Sequence, residues 1–273
     1  MPTFVLPFPA INPVIVQWGP LAIRWYALAY IAGLIAGWAL IRHIVATNRY
    51  WNGRPRPDAD SIDDLLVYVA LGVVIGGRLG NVLFYDPQYY FAHPLDILKV
   101  WQGGMAFHGG LIGAALGVFL FARRYATPPL TVFDLASLAA PIGLFLGRIA
   151  NFIKPELWGR PTDAPWAMVF PGSDGVPRHP SQIYEALLEG ALLFVILLFM
   201  ARRGSLKRAG LTTGVFGIGY ALARSFCELY RDPDPHLEDL GGGLTMGMLL
   251  SLPMLLIGAA LILWSLRRRE QTA

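Results

Sequence analysis

The sequence predicts an all-α polytopic membrane protein. It has seven transmembrane helices, an external N-terminus, a cytoplasmic C-terminus and an external arm between helices four and five. Three observations carry this expectation. Of 273 residues, 55% are hydrophobic and only 15% charged, with mean hydropathy +0.49, where a soluble domain carries about 25% charged residues. Seven stretches reach the roughly 20 apolar residues that a span needs, and none alternates as a membrane strand does, so they read as helices. The cations are also unevenly placed. Thirteen of the 22 Lys and Arg residues fall in the segments after the first, third, fifth and seventh stretches, and only five (Lys99, Lys154, Arg160, Arg178, Arg231) fall in the opposite segments. The excess marks the cytoplasmic side.

The elements follow in order. Span one, 21–41, holds Arg24 and Tyr26 near its outer end and is followed by Arg42, Arg49, Arg54 and Arg56. Span two, 62–85, puts Arg78 and Asn81 within about two turns of its exit at ~1.5 Å per residue. Span three, 103–121, places His108 about one and a half turns in, ahead of Arg123 and Arg124. Span four, 132–152, ends on Arg148 and Asn151. The arm, 153–180, is rich in Pro and Gly yet contains Trp158, Trp166, Met168, Val169 and Phe170. It is expected to be an ordered arm or lid, or else an interfacial loop anchored by Trp. Span five, 181–200, carries Glu185 and Glu189 four apart. Span six, 211–230, sets Tyr220, Arg224 and Glu228 on one face. Span seven, 244–266, is closed by Arg267, Arg268 and Arg269. The whole, 1–273, is expected to form one membrane domain. Residues 1–18 lack Lys and Arg, so no signal-peptide n-region is expected.

Small residues recur every four positions at Gly72, Gly76 and Gly80, at Gly109, Gly113 and Gly117, and at Gly143 and Gly147; such stripes admit close backbone approach. Two segments resemble each other, Gly77-Arg-Leu-Gly-Asn81 and Gly147-Arg-Ile-Ala-Asn151, each with Arg and Asn on one helix face. Arg24, Arg78, Arg148 and Arg224 lie within the predicted spans. An arginine in hydrocarbon costs several kcal/mol unless paired or wet, which marks it as functional by default. Five helices are thus expected to place polar groups in one outer layer of the bilayer, at headgroup depth. There, guanidinium suits the bidentate binding of a phosphate, and the natural anion is an anionic phospholipid.

Each group also has a plainer reading. Arg24 snorkels to headgroups; Arg224 and Glu228 neutralise each other; Glu185 and Glu189 form an interior salt bridge with a buried arginine; His108, flanked by glycines, is a packing residue or a general base. The pI of about 9.3 is explained by topology, so no nucleic-acid partner is expected. The five histidines show no paired ligand spacing and the single Cys227 allows no cysteine cluster, so neither metal nor cofactor is expected.

At these residues the sequence resembles the bacterial prolipoprotein diacylglyceryl transferase family over nearly its whole length. The segments are Trp25-Tyr26, Gly77–Asn81, Gly103-Gly-Met-Ala-Phe-His-Gly-Gly-Leu-Ile-Gly113, Gly147-Arg-Ile-Ala-Asn-Phe152, Glu156-Leu-Trp-Gly159, Arg178-His-Pro-Ser-Gln-Ile-Tyr-Glu185 and 220–228. The chain departs from the family at Lys154-Pro155, where Asn-Gly is frequent. The resemblance implies transfer of the diacylglyceryl group of phosphatidylglycerol to the lipobox cysteine thiol of a preprolipoprotein, forming a thioether and releasing glycerol phosphate. It implies His108, Arg148 and Arg224 as catalytic residues. It also implies Tyr26, Asn151, Glu156, Gly159, Tyr220 and Glu228 as site residues, and these are expected to bind the lipid together with the span arginines Arg148, Arg224 and Arg78. The site is expected to face the external leaflet of the bacterial inner membrane, and no obligate protein partner is evident from the sequence. The competing class is an anionic lipid or anion transporter, which would site its substrate near the midplane.

Overall fold

A computed structural model of the chain describes residues 5–19, 21–232 and 245–270. It is mostly helical. Two strands, β1 (Val14–Trp18) and β2 (Leu21–Arg24), precede helices α1 (Trp25–Ala46), α2 (Ile62–Phe84), α3 (Pro87–Ala92), α4 (Phe107–Arg124) and α5 (Pro129–Ile153). Then come α6 (Ser181–Glu185), a π-helical segment Ala186–Leu192, α7 (Leu193–Arg202), α8 (Leu211–Glu228) and α9 (Met246–Glu270). The segment Ser181–Arg202 runs on as one rod.

Among the described residues, five helices are long and apolar enough to cross a membrane: Trp25–Ala46, Ala59–Phe84, Pro129–Ile153, Ser181–Arg202 and Met246–Arg268. Helices also form on the third and sixth predicted stretches, but α4 and α8 have only 18 residues each. They end in Arg123 and Arg124, and in Arg224 and Glu228, so their apolar length is shorter.

The chain is not purely helical. The first span was expected from residue 21, but Leu21–Arg24 is a strand paired antiparallel with Val14–Trp18, and Val14 opposes Arg24. The β-branched Val14, Ile15, Val16 and Ile23 favour an extended backbone. Gly19, at φ +57°, takes a left-handed conformation that costs it little. Arg24 is therefore exposed on a hairpin, outside the helix. A second correction concerns the start of α4. Gly103 and Gly104 have φ of +89° and +72°, which no helix accommodates, so the helix begins at Phe107 and His108 lies in its first turn.

The chain divides into two compact units, one of Trp38–Ala136 and one of Met1–Gly37 with Ser137–Ala273. In the first, α2 and α4 meet glycine to glycine. A Cβ on Gly76 would lie 2.8 Å from Gly113 Cα, and one on Gly80 would lie 2.9 Å from Gly109 Cα. The expected stripe is a packing seam. Trp38 Nε1 and Arg42 Nη1 both donate to Asp63 Oδ1, at 2.8 and 2.9 Å. In the second unit α8 packs on α9 in the same manner through Gly214 and Gly258. The third stripe differs: a Cβ on Gly143 or Gly147 would meet nothing within 4 Å.

Candidate active site

The second unit gathers three arginines and three glutamates from α5, the Ser181–Arg202 rod, α8 and the residues just after it. Glu185 ends α6 and Glu189 lies in the π-helical segment; both are fully buried. The wider π turn is a local irregularity of the kind that recurs at functional sites. Gly190 lets the rod close on α5, since a Cβ there would sit 2.6 Å from Phe145 Cβ. Arg148 Nε lies 3.0 Å from Glu185 Oε2, and its Nη2 donates to Glu189 Oε2 at 3.5 Å. Arg224 Nη1 donates to Glu185 Oε1 at 2.5 Å, and its Nη2 pairs with Glu228, one turn on along α8. Arg231 Nη1 reaches Glu185 Oε1 at 3.4 Å. The two plainer readings, an Arg224–Glu228 pair and an interior salt bridge at Glu185 and Glu189, therefore hold together in one network. Removing one partner of such a network strands a buried charge, at roughly 3–5 kcal/mol. Tyr220, two turns below Glu228 on α8, stacks on Phe216 at 6.1 Å.

Arg148 is the most available member. Its side chain is 17% exposed, and Nη1 makes no hydrogen bond among the described residues. The neighbouring Gly147 borders open space. One edge of the guanidinium is held by carboxylates, and Nη1 is not.

One turn beyond Arg148, Asn151 Nδ2 donates to Glu156 Oε1 at 2.7 Å and to Tyr26 Oη at 3.3 Å. Glu156 also pairs with Lys154 at 2.6 Å, so the Lys154-Pro155 departure supplies the carboxylate with a cation. The next residue, Leu157, has φ +58°, a strained conformation costing roughly 1–2 kcal/mol. Two side chains at the start of α6 hold it there: Ser181 Oγ donates to the Leu157 carbonyl at 3.0 Å and Gln182 Nε2 to that of Glu156 at 2.7 Å. Gly159 follows because the chain closes tightly. A Cβ there would lie 2.7 Å from His179 Cβ, while its amide donates to the His179 carbonyl at 2.9 Å.

The arm 153–180 is ordered. Phe170 is buried against Phe8, Phe152 and Trp158. Arg178 donates to the Gly159 carbonyl and to Asp174 and Asp232. That guanidinium holds the Asp174 carboxyl below the usual range. His179 accepts from or donates to Tyr184 Oη at 2.9 Å, and burial lowers its affinity for a proton.

Arg78 and His108 belong to the other unit. Arg78 is 4% exposed and spends its donors on backbone carbonyls: Nε on Ile97 at 2.9 Å, Nη1 on Gly103 at 2.6 Å, Nη2 on Asp96 at 2.5 Å. Its guanidinium lies over the Tyr90 ring. The arginine thus shapes the loop that leads into His108. His108 is exposed beside Phe107 and has no hydrogen-bond partner within its unit. Sequence reasoning missed Arg231, which it counted as a loop cation.

This arrangement, an arginine edge left free over buried carboxylates beside an Asn–Glu–Gly turn, follows the segments of the resemblance. The sequence profile of prolipoprotein diacylglyceryl transferase matches residues 13–264. The chain belongs to that family. It is 64% identical over 270 residues to a protein of Methylocella silvestris, covering 99% of both chains. It is 57% identical over 272 residues to one of Beijerinckia indica, covering 98% of this chain and 99% of that one. A protein of Paramagnetospirillum magneticum is 52% identical over 276 residues, covering 99% and 100%. All three bear the name phosphatidylglycerol–prolipoprotein diacylglyceryl transferase. Membership makes the chain a transferase, and a transporter reading is not favoured.

Proposed function

We propose that the chain transfers the diacylglyceryl group of phosphatidylglycerol to the lipobox cysteine of a preprolipoprotein, the first step of bacterial lipoprotein maturation. The thiolate attacks the lipid methylene carbon next to the phosphate oxygen; a C–S bond forms, the C–O bond breaks, and glycerol phosphate leaves with the electron pair. The observation that carries this reading is the free Nη1 edge of Arg148 above the buried Glu185–Glu189 pair, with Arg224 fixed to the same carboxylate. Arg148 and Arg224 stabilise the negative charge that grows on the departing phosphate, where preorganised donors in a water-poor site act most strongly. The phosphate leaves as a stable anion, so no strong general acid is needed.

His108 is the proposed base for the incoming thiol, whose unperturbed pKa of about 8.5 keeps it mostly protonated near pH 7. Tyr26, Asn151, Glu156, Gly159, Tyr220 and Glu228 complete the lipid-binding set, and Arg78 contributes by holding the loop before His108. The proposed topology is a single membrane domain of seven spans in the bacterial inner membrane, α4 and α8 included, with the N-terminus and the arm 153–180 outside and the site towards the external leaflet. A purified-protein assay with labelled phosphatidylglycerol and a lipobox peptide tests the reaction. The expected product is a diacylglyceryl thioether on the peptide cysteine, and its absence with folded protein overturns the reading.

A further inference from the structure

The site is already electrically balanced before any lipid arrives. Arg148, Arg224 and Arg231 face Glu185, Glu189 and Glu228 within one network. A phosphodiester adds one negative charge to that balance. Bringing an anion beside a buried carboxylate is costly, and the cost falls if the carboxylate accepts a proton.

The geometry singles out one carboxylate for this. Glu185 has guanidinium nitrogens at 2.5, 3.0 and 3.4 Å, and Glu228 is in close contact with Arg224. Glu189 has only a 3.5 Å contact with Arg148 and a 3.8 Å contact with Arg224. Both Glu185 and Glu189 are fully buried and each has one oxygen without a hydrogen-bond partner among the described residues, Glu185 Oε2 and Glu189 Oε1; what sets Glu189 apart is the length of its ion-pair contacts. The groups facing it are Arg148 from α5, Glu185 on its own rod, and Tyr220, Arg224 and Cys227 from α8.

We propose that Glu189 takes up one proton as the lipid phosphate binds beside Arg148 and Arg224. The cluster then exchanges a carboxylate charge for the phosphate charge instead of accumulating it. The step forms only an O–H bond; its proton comes from solvent and returns there when glycerol phosphate leaves. In the neutral form Glu189 releases Arg148 Nη2 towards the phosphate, so it is a positioning residue that also sets when the arginine edge becomes available. The inference rests on phosphatidylglycerol being the ligand.

Calorimetric titration of the full chain with phosphatidylglycerol in detergent, in two buffers of different ionisation heat, measures the proton directly. Wild type should take up about one proton per lipid near neutral pH, and its Kd should weaken by up to about tenfold per unit on the alkaline side. Glu189→Gln, which mimics the neutral form, should take up none and show a flat Kd. Binding by wild type without uptake overturns this inference alone, as does equal uptake by Glu189→Gln. No binding by folded wild type overturns both it and the proposed function. If Glu189→Gln does not fold, absence of uptake by wild type still overturns the inference, and Glu189→Asp, which keeps a carboxyl but alters its surroundings, should move the pH at which uptake is greatest; an unmoved profile overturns it too.

Discussion

Arg148 gives Nε and Nη2 to buried carboxylates and leaves Nη1 free, so its planar fork serves two partners at once. A lysine ammonium cannot span that geometry. Arg148→Lys should lower transfer by roughly 10²-fold or more, the scale of losing one preorganised donor. Arg42→Lys, whose partners Asp60 and Asp63 are largely exposed, should stay within about twofold, as exposed pairs contribute little. Initial rates with labelled lipid separate the two, and wild-type turnover in Arg148→Lys removes the clamp. His108 is tested by His108→Gln, which keeps shape but not basicity. Transfer should be slow at neutral pH and partly recover as pH approaches the thiol's own pKa of about 8.5. A mutant pH–rate profile parallel to wild type would reduce His108 to packing or orienting the lipid.

At the scale of elements, the two kinds of glycine should respond in opposite ways. A Cβ on Gly113 would collide with the backbone of Gly72, while one on Gly147 meets open space. Gly113→Ala should destabilise by about 1–3 kcal/mol; Gly147→Ala should be neutral or gain up to ~1 kcal/mol of helix propensity. Thermal melts in detergent make the comparison. The arm supplies a pH test. His179 is half-buried, and that desolvation favours its neutral form, so its depressed folded-state pKa gives stability that is present above the unfolded value of about 6.5 and lost as pH falls through the folded value. The protection factors of the Gly159 and Met168 amides, whose hydrogen bonds reach His179 and Arg178, should fall below about pH 6 in wild type once exchange is normalised to the intrinsic rate at each pH. In His179→Phe the acid-dependent part should vanish; an unchanged pH dependence would assign it elsewhere.

What the sequence made legible at this scale was periodic. Apolar stretches gave the helices, four-residue glycine spacing gave the α2–α4 seam, and i, i+4 spacing gave the Glu185–Glu189 and Arg224–Glu228 pairs. What it hid depends on contacts distant in the chain. Arg78 has the same local pattern as Arg148, yet one binds carbonyls of a loop with positive φ and the other binds glutamates. Arg231 joins the cluster because the chain after α8 turns back along the arm, where Arg160 Nε donates to the Arg231 carbonyl. The hairpin at 14–24 was hidden because its second strand, Leu21–Arg24, runs without a break into the apolar stretch of α1, so hydropathy alone does not separate the two.

For the whole molecule, the charge asymmetry makes a strict claim. A reporter fused after Ala273 should read as cytoplasmic, and one inserted near Gly172, at an exposed turn of the arm, as external. The reverse result would move the Arg148 end of α5 to the inner leaflet and remove the match to an outer-leaflet substrate.

Cys227 is fully buried one residue before Glu228, in the same turn of α8 as Arg224. A catalyst that makes a lipid carbon electrophilic towards sulfur is at risk from its own thiol, because a thioether once made is permanent. Enclosing Cys227 in the helix packing withholds its sulfur from the solvent-side space where the proposed reaction would run. The chain can therefore carry a cysteine three residues from Arg224, the proposed phosphate partner, with burial standing in for the absence of sulfur as the guard against self-lipidation.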